Sequence, residues 1–405
     1  MPPDDQPMSV DDQRPDPTAP LGAPPDPWAS TSTPSIRSGP PYHMTEMIEA
    51  EPALAGRVLE RLAADGSAAR LADAIRVVAG AREPILIVGC GTSEHGALGS
   101  VEILHDAMRR ADLPGPGPVS AQAFEAALDP QRGGLCIGVS HEGATGATNR
   151  ALAAARAAGS TTALFTVTDR SPGAALADIV LATGELDESW CHTIGYVSPL
   201  LAAAAVGTAL TGDRDGRTAI AERLAAGLAQ AEAADVAARA LASADRIVVI
   251  ASGSDRPAGR ELTLKIEEAA WVPTAYRDLE TLLHGHLPAT GETTGLVLVL
   301  ADPLARADRV VRARQALAAA REVGMPAAAI MTADVAVTLD PMLTPAGRLV
   351  VPEDASLPAP VAALFGTATP LQLLTERLAR ARGTNPDPIR RDDPRYVAAA
   401  DAAEA

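Results

Sequence analysis

The sequence predicts an α/β protein built from two doubly wound, three-layer parallel-sheet domains in tandem. Short aliphatic runs alternate with amphipathic stretches of helix length from residue 44 to residue 383, and this alternation is typical of parallel sheets covered by helices on both faces. Apolar residues make up 47% of the 405 residues but aromatic residues only 2%, so the core must consist of Ala, Val, Leu and Ile. The same order of strand, Gly/Ser turn and helix occurs twice, which indicates an internal duplication.

The composition divides the chain into four segments. Residues 1–43 contain 12 of the 34 prolines and almost no aliphatic residues, a composition that predicts a disordered N-terminal tail. The first domain is expected to span residues 44–215 and to begin with two helices. The second domain spans residues 216–383, and residues 384–405 form a polar C-terminal tail.

The individual elements follow from changes in the hydrophobic period along the chain. The predicted strands are Ile85–Val88, Leu135–Val139, Thr161–Val167 and Ile179–Ala182 in the first half, and Arg246–Ala251, Leu296–Leu300 and Ala327–Met331 in the second. The predicted helices are Met44–Leu62, Leu71–Val78, His95–Met108, Ala147–Ala158, Thr218–Ser243, Arg260–Trp271, Val310–Val323 and Thr369–Arg382.

Charge and cysteine usage narrow the possible functions. The formal net charge of −17 argues against nucleic acid or an anionic membrane as the partner, because both require clustered cations. The three cysteines show no metal-ligand spacing, so neither a metal site nor a disulfide framework is expected. The N-terminus lacks a basic region followed by an apolar one, which predicts a cytoplasmic protein.

Hydroxyl side chains follow the strands of the first half. Thr92, Ser93, Ser140 and Thr145 fall at strand ends or in the first turn of the next helix, where free backbone N–H groups favour an anion. Ligands of open α/β sheets bind beyond the carboxyl ends of the strands, so these residues are candidates for holding a phosphate. Helix capping is the commoner explanation of the same residues.

Charged residues of the second half are candidates for proton transfer. Lys265, the only lysine in the chain, and Glu268 lie three residues apart on a predicted helix and therefore share a face. With Glu261 one turn earlier, they equally fit a solvated stripe of ion pairs. His284, next to Gly285 in a segment without periodicity, is a further candidate, although a single His is more often structural.

In this order, the motifs resemble the sugar isomerase (SIS) domain family, whose tandem members include the isomerase half of glucosamine-6-phosphate synthase. The likeness covers about residues 44–390 and rests on Met44–Pro52, Cys90–Ser93, Ser140–Thr145, Glu261–Trp271, His284–Gly285 and Pro370–Leu374. It implies two flavodoxin-like SIS domains, without the glutaminase domain of that enzyme.

The resemblance also implies roles for single residues. Glu268 would be the base that moves a proton between C1 and C2 of the open-chain sugar. Lys265 would contact the substrate, and His284 would assist ring opening, often in the site of the neighbouring subunit. The substrate-binding loops would contain Gly91, Thr92, Ser93, Ser140, His141, Thr145, His192 and Thr193. A small-molecule sugar substrate, a homodimer with shared active sites and no cofactor are therefore expected.

The chain departs from the family pattern in its second phosphate loop. Glu142 stands where the family has a serine, and a carboxylate there would repel a phosphate dianion unless it is neutralised or turned away. His141 and His192 could supply the compensating charge; alternatively, Glu142 recognises an amine or a sugar hydroxyl. A metal site formed by these three residues is not expected, because their spacing matches no known ligand pattern.

Together, these features predict an isomerase of a phosphosugar or amino-sugar phosphate, or a related deaminase or deglycase that removes nitrogen at C1 or C2. Two alternatives stay open. One is a sensor that binds the sugar phosphate without catalysis, and the other is a specialised pathway enzyme acting on a non-phosphorylated or nucleotide-linked sugar.

Overall fold

The structure, a computed structural model, describes residues 15–22, 26, 35–213 and 216–404. Its first sheet consists of β1 (Ile85–Gly89), β2 (Val119–Gln122), β3 (Leu135–Val139), β4 (Thr161–Thr166) and β5 (Ile179–Ala182). The strands are parallel and lie in the order β2-β1-β3-β4-β5. The central β3 is buried at every position, as expected for a strand covered on both faces.

The second sheet repeats this arrangement. It consists of β6 (Arg246–Ala251), β7 (Thr274–Asp278), β8 (Thr294–Leu300), β9 (Ala327–Thr332) and β10 (Gly347–Val351). Its parallel strands have the order β10-β9-β8-β6-β7. Starting from β7, this is the strand order of the first sheet. The predicted α/β class with two parallel sheets is therefore confirmed, and the shared order is what a duplication would produce.

Helices flank both sheets and connect the parallel strands. Those of the first half are α1 (His43–Ala64), α2 (Ser67–Gly80), α3 (Thr92–Arg110), α4 (Ala123–Leu128), α5 (Gly146–Ala157) and α6 (Ile194–Thr211). Those of the second half are α7 (Arg217–Leu228), α8 (Ala231–Leu241), α9 (Arg256–Ala270), α10 (Arg306–Glu322), α11 (Ala333–Thr338), α12 (Ala359–Arg382) and α13 (Pro394–Glu404).

The two halves share one hydrophobic core. It contains residues of α1 and α6 from the first half together with residues of α9 and α12 from the second. The helix α6 is apolar on all sides because it packs against α1, α2 and α3. It is long and apolar enough to cross a membrane, but 78% of its residues are buried inside the protein, as expected for a core helix.

Several elements differ from those predicted. The single long helix expected at 218–243 is divided into α7 and α8 by a turn at Ala229 and Gln230. The strands β2, β7 and β10 were not predicted; all three are short edge strands of their sheets and carry polar residues. The helix α12 begins at Ala359, ten residues before the predicted start at Thr369, because its first turns are buried despite their irregular pattern.

Parts of the two predicted tails pack against the folded body. Asp387 accepts hydrogen bonds from the backbone N–H groups of His43 (2.9 Å) and Met44 (2.8 Å) at the start of α1. Arg57 donates to the carbonyl of Thr18, and Arg37 forms an ion pair with Glu46. The described parts of the predicted disordered segment 1–43 therefore make defined contacts; its other residues lie outside the described part of the chain.

Candidate active site

The first loop of the candidate site joins β1 to α3. Gly89 fits only because it has no side chain: a Cβ there would lie 2.4 Å from the carbonyl oxygen of Ser93. Gly91 has a φ of +57°, a conformation that favours glycine. This tight turn places Thr92 and Ser93 in the first turn of α3, beyond the carboxyl end of the sheet, where helix N–H groups are available to a ligand.

The second loop joins β3 to α5 and also contains predicted binding residues. Ser140 donates a hydrogen bond from its hydroxyl to Thr145 Oγ1 at 3.1 Å, so the two hydroxyls lie side by side. Gly143 has a φ of +72°, and a Cβ at this position would lie 2.0 Å from Ser171 Oγ. The loop therefore holds its shape through glycine geometry and ends at the N-terminus of α5.

His141 is neutral in this loop. The backbone N–H of Asp187 donates to His141 Nε2 at 2.9 Å, so Nε2 is unprotonated and the ring proton is on Nδ1. Burial lowers the pKa of His141 to about 3, and the neighbouring His192 adds to this effect. The expectation that His141 compensates the charge of Glu142 is therefore wrong, because its ring stays uncharged.

Asp187 organises the third loop, between β5 and α6. Its carboxylate accepts backbone N–H groups of Ser189 (3.1 Å), Thr193 (2.6 Å) and Gly195 (3.2 Å), and His192 Nδ1 lies 3.7 Å away. Burial opposes its charge, but His192 and these N–H groups together lower the pKa of Asp187. Likewise, burial opposes protonation of His192, but Asp187 raises the pKa of that imidazole. The positive charge of His192 is therefore paired with Asp187.

Glu142 is half-buried and close to this pair. Within the described residues its side chain makes no hydrogen bond and no ion pair, although it interacts electrostatically with His192 and Asp187. Burial raises the pKa of Glu142, and the attraction of His192 only partly offsets this. The carboxylate is thus free to contact a ligand.

The predicted catalytic residues lie on α9, where a row of charged side chains is buried. Lys265 Nζ lies 2.5 Å from Glu268 Oε2 and 3.7 Å from Glu261 Oε1. Lys265 and Glu261 are fully buried, whereas 22% of the Glu268 side chain is exposed. Burial alone would lower the pKa of Lys265, but Glu268, Cys191 and Glu261 raise it, so Lys265 is a cation and not a base. A solvated ion-pair stripe is excluded for these residues.

This row of charges faces the loops of the first half. His95 on α3 contacts Glu261 Oε2 through Nδ1 at 2.7 Å, which links the two halves directly. His192 interacts electrostatically with both Lys265 and Glu268, and a Cβ on Gly91 would lie 3.8 Å from Leu264. The structure therefore brings Glu268 and Lys265 together with the first-half loops, and the candidate site lies between the two halves.

His284 lies apart from this cluster within one chain. Its side chain is exposed and contacts Glu280 Oε1 through Nε2 at 2.6 Å, while Arg312 forms an ion pair with the same carboxylate. Within the described residues, no hydrogen bond or ion pair joins His284 to α9. A role for His284 in catalysis would therefore require a second subunit, and it stays a prediction.

Sequence reasoning missed His95, Asp187 and a buried acid behind the loops, Glu51. Thr369 donates to Glu51 Oε2 at 3.2 Å, and Gln372 donates to the carbonyl of Thr193 at 3.3 Å. Burial raises the pKa of Glu51 well above its ordinary value. A neutral Glu51 can donate to the Gln372 side-chain oxygen, which has no other hydrogen-bond partner in the described part of the chain. The available signal was the placement of His95 in the first turn after Thr92 and Ser93.

The corresponding loops of the second half are closed by the protein itself. The backbone N–H of Ser254, after β6, donates to Asp302 Oδ2 at 2.8 Å, and Arg309 forms an ion pair with Asp302. A carboxylate of the chain thus occupies the end of this sheet. The residues that could hold a ligand are therefore concentrated in the first half.

Two other features of the described residues lie outside this cluster. A cavity of about 650 Å³, lined mainly by Ala, Leu and Ile of α1, α2, α3 and α6, lacks the charged groups of the candidate site. His43, Glu46 and Glu188 have ligand atoms within 4.8 Å of one another, but Arg37 binds both oxygens of Glu46. That group is built as an ion-pair network at the start of α1.

No family model and no curated protein matches this chain, but many solved structures do. The C-terminal domain of glucosamine-fructose-6-phosphate aminotransferase from Francisella tularensis is 18% identical, with a TM-score of 0.72 over 87% of this chain and 99% of that chain. Tagatose-6-phosphate ketose/aldose isomerase from Escherichia coli is 17% identical, with a TM-score of 0.71 over 88% and 97% of the two chains. The chain has the SIS phosphosugar isomerase fold.

Other SIS-fold neighbours are more distant. Glucosamine-6-phosphate deaminase from Thermotoga maritima is 18% identical, with a TM-score of 0.54 over 75% of this chain and 87% of that chain. The resemblance to SIS proteins inferred from the sequence motifs is confirmed at the level of the fold. At these identities, the SIS fold does not by itself define a reaction or a substrate.

Proposed function

We propose that this protein is an SIS-type sugar isomerase or sugar deaminase in which Glu268 moves a proton between C1 and C2 of an open-chain sugar. The observation that carries the proposal is the position of Glu268: a partly exposed carboxylate between the two halves, beside the buried cation Lys265 and near the first-half loops. A carboxylate in such a place is suited to general base catalysis.

The neighbouring groups would assist this step. Removal of a proton next to a carbonyl places negative charge on the sugar oxygens, and a fixed cation such as Lys265 stabilises that charge. Glu261 forms an ion pair with Lys265 and is in turn contacted by His95, so the cation is already in place before the substrate binds. Deamination and deglycation share the same open-chain chemistry at C1 and C2.

The hydroxyl-rich loops would hold the opposite end of the sugar. Thr92, Ser93, Ser140 and Thr145 lie at the ends of β1 and β3, on the same edge of the first sheet. A homodimer would complete the site if His284 of each chain entered the site of the other. This would explain why a histidine with a predicted catalytic role is exposed in the single chain.

The decisive experiment measures exchange of solvent deuterium into C1 or C2 of hexoses, hexosamines and their 6-phosphates by NMR. Wild type is expected to catalyse exchange with at least one of these sugars, and Glu268→Gln to lose it. Glu267→Gln is the matched control, because Glu267 is the adjacent exposed carboxylate on α9 and accepts a hydrogen bond from the backbone N–H of Thr274. If the wild-type protein binds a sugar tightly but does not catalyse exchange, the protein is a sugar sensor and not an enzyme.

A mixing experiment tests the shared site. Glu268→Gln and His284→Ala are each expected to be inactive alone, and their mixture to recover partial activity if each site uses both chains. If the mixture is as inactive as each variant alone after subunit exchange, His284 does not contribute to the active site.

A further inference from the structure

The loop pocket of the first half, defined here as Ser140, Glu142, Thr145 and His192, has an unusual charge balance for a phosphate site. Among the residues of loops 140–145 and 187–193 there is no Arg or Lys. Lys265 is held by Glu268 and Glu261. Arg170, in the loop after β4, is exposed and takes part in an interaction of its own. No side chain of these loops therefore offers an unpaired cation.

The two histidines do not change this balance. His141 is neutral, because its Nε2 accepts the backbone N–H of Asp187. A protonated His192 is balanced by Asp187, whose carboxylate is buried and 3.7 Å away. The remaining charge among the residues of this pocket is that of Glu142. With these groups ionised, the pocket carries net negative charge.

Glu142 is also the group in this pocket that lacks a partner. Its half-buried carboxylate makes no hydrogen bond or ion pair within the described part of the chain, while Ser140 and Thr145 bond to each other. A partly desolvated carboxylate without a partner is complementary to a hydrogen-bond donor and repels a dianion. The groups that face it are His192 and Asp187.

We propose that Glu142 determines the charge selectivity of this pocket, so that the pocket accepts a hydrogen-bond-donating end of the sugar, a hydroxyl or an ammonium group, and discriminates against a phosphate dianion. The proposal rests on the proposed function for the placement of the sugar, and it names the substrate class as a free sugar or amino sugar. Backbone N–H groups at the N-termini of α3 and α5 still orient the ligand, but Glu142 determines which ligand charge the pocket accepts.

The first test uses inorganic phosphate at pH 8 and constant ionic strength, with binding measured by titration calorimetry. Glu142→Ser and Glu142→Gln are expected to bind phosphate at least about tenfold more tightly than wild type, because one close negative charge is removed. Glu60→Gln is the control, since it removes one exposed negative charge from α1 and should leave the affinity unchanged. Both Glu142 variants should fold, because the carboxylate has no partner to lose, and thermal unfolding checks this.

The second test compares glucosamine with glucosamine 6-phosphate. Wild type is expected to prefer the unphosphorylated sugar, and Glu142→Ser to reverse the preference. Equal phosphate affinity in wild type and both folded variants, or a wild-type preference for the phosphorylated sugar, would overturn the proposal. Absence of deuterium exchange in every variant would instead refute the proposed reaction, while the binding difference would still decide the role of Glu142.

Discussion

Asp255, at the end of the turn between β6 and α9, makes the stability of the second half depend on pH. Its side chain is fully buried, and its Oδ2 accepts the backbone N–H groups of Ala301 (2.8 Å) and Asp302 (2.9 Å). Among the residues that the structure describes, its Oδ1 has no hydrogen-bond partner. Burial raises the pKa of Asp255 to about 7, although the two N–H groups act in the opposite direction.

The sign of the effect follows from proton linkage. Between its ordinary pKa of 3.8 and the folded-state pKa of about 7, the folded protein binds a proton that the unfolded chain has released, so stability falls as the pH rises through this window. The full difference corresponds to about 4 kcal/mol, at about 1.4 kcal/mol for each pH unit. Below pH 4 the contribution is complete, and above pH 7 it is lost.

Asp255→Asn removes this titration and keeps an acceptor for the two N–H groups. The free energy of unfolding of Asp255→Asn relative to wild type, from urea unfolding at pH 4.5 to 8.5, is expected to increase with pH by about 3 kcal/mol, because about 2.5 pH units of the titration fall in this range. Asp73→Asn, which changes an exposed carboxylate on α2, should show almost no such trend. A difference between Asp255→Asn and wild type that stays constant with pH would refute the reasoning, because Asp255 would then be ionised throughout.

Two further predictions concern contacts between distant parts of the chain. His95→Gln removes the contact with Glu261 and is expected to lower kcat of deuterium exchange by about tenfold, because Glu261 then positions Lys265 less firmly. Thermal unfolding is expected to stay close to wild type, because the hydrophobic core is unchanged. An unchanged kcat would show that the contact is dispensable. Asp387→Ala leaves the N–H groups of His43 and Met44 without their acceptor and is expected to lower the free energy of unfolding by about 1–2 kcal/mol, as for the loss of a helix cap. Urea unfolding measures this change, and Asp387→Asn is expected to lower the free energy of unfolding by less.

The aliphatic strands could be predicted closely from the sequence, whereas the edge strands that carry polar residues could not. Leu135–Val139 and Ile179–Ala182 have the predicted bounds, because continuous aliphatic runs bounded by turns have few other folded states. The strand Thr274–Asp278 carries Tyr, Arg and Asp and is partly exposed throughout. This segment is a strand because it pairs with β6, and such pairing cannot be predicted from the local sequence pattern.

The site shows the same division between local and distant information. The pairing of Lys265 with Glu268 follows from a spacing of three residues on a helix, and the structure contains it. The contact between His95 and Glu261 joins residues 166 positions apart, and the neutral state of His141 depends on a backbone N–H that is 46 positions away. Those features arise only when the two halves and their loops pack together.

The cap that Asp387 provides for α1 has a consequence for synthesis of the protein on the ribosome. The helix α1 opens the first half and contacts α6, α7 and α12, yet the acceptor for its first N–H groups is residue 387. Domains usually fold in the order of their synthesis, but here the first N–H groups of α1 lack this acceptor until most of the chain has left the ribosome. We therefore expect the start of α1 to become fully hydrogen-bonded late in synthesis, when residue 387 becomes available, so that folding of the first half depends on the second.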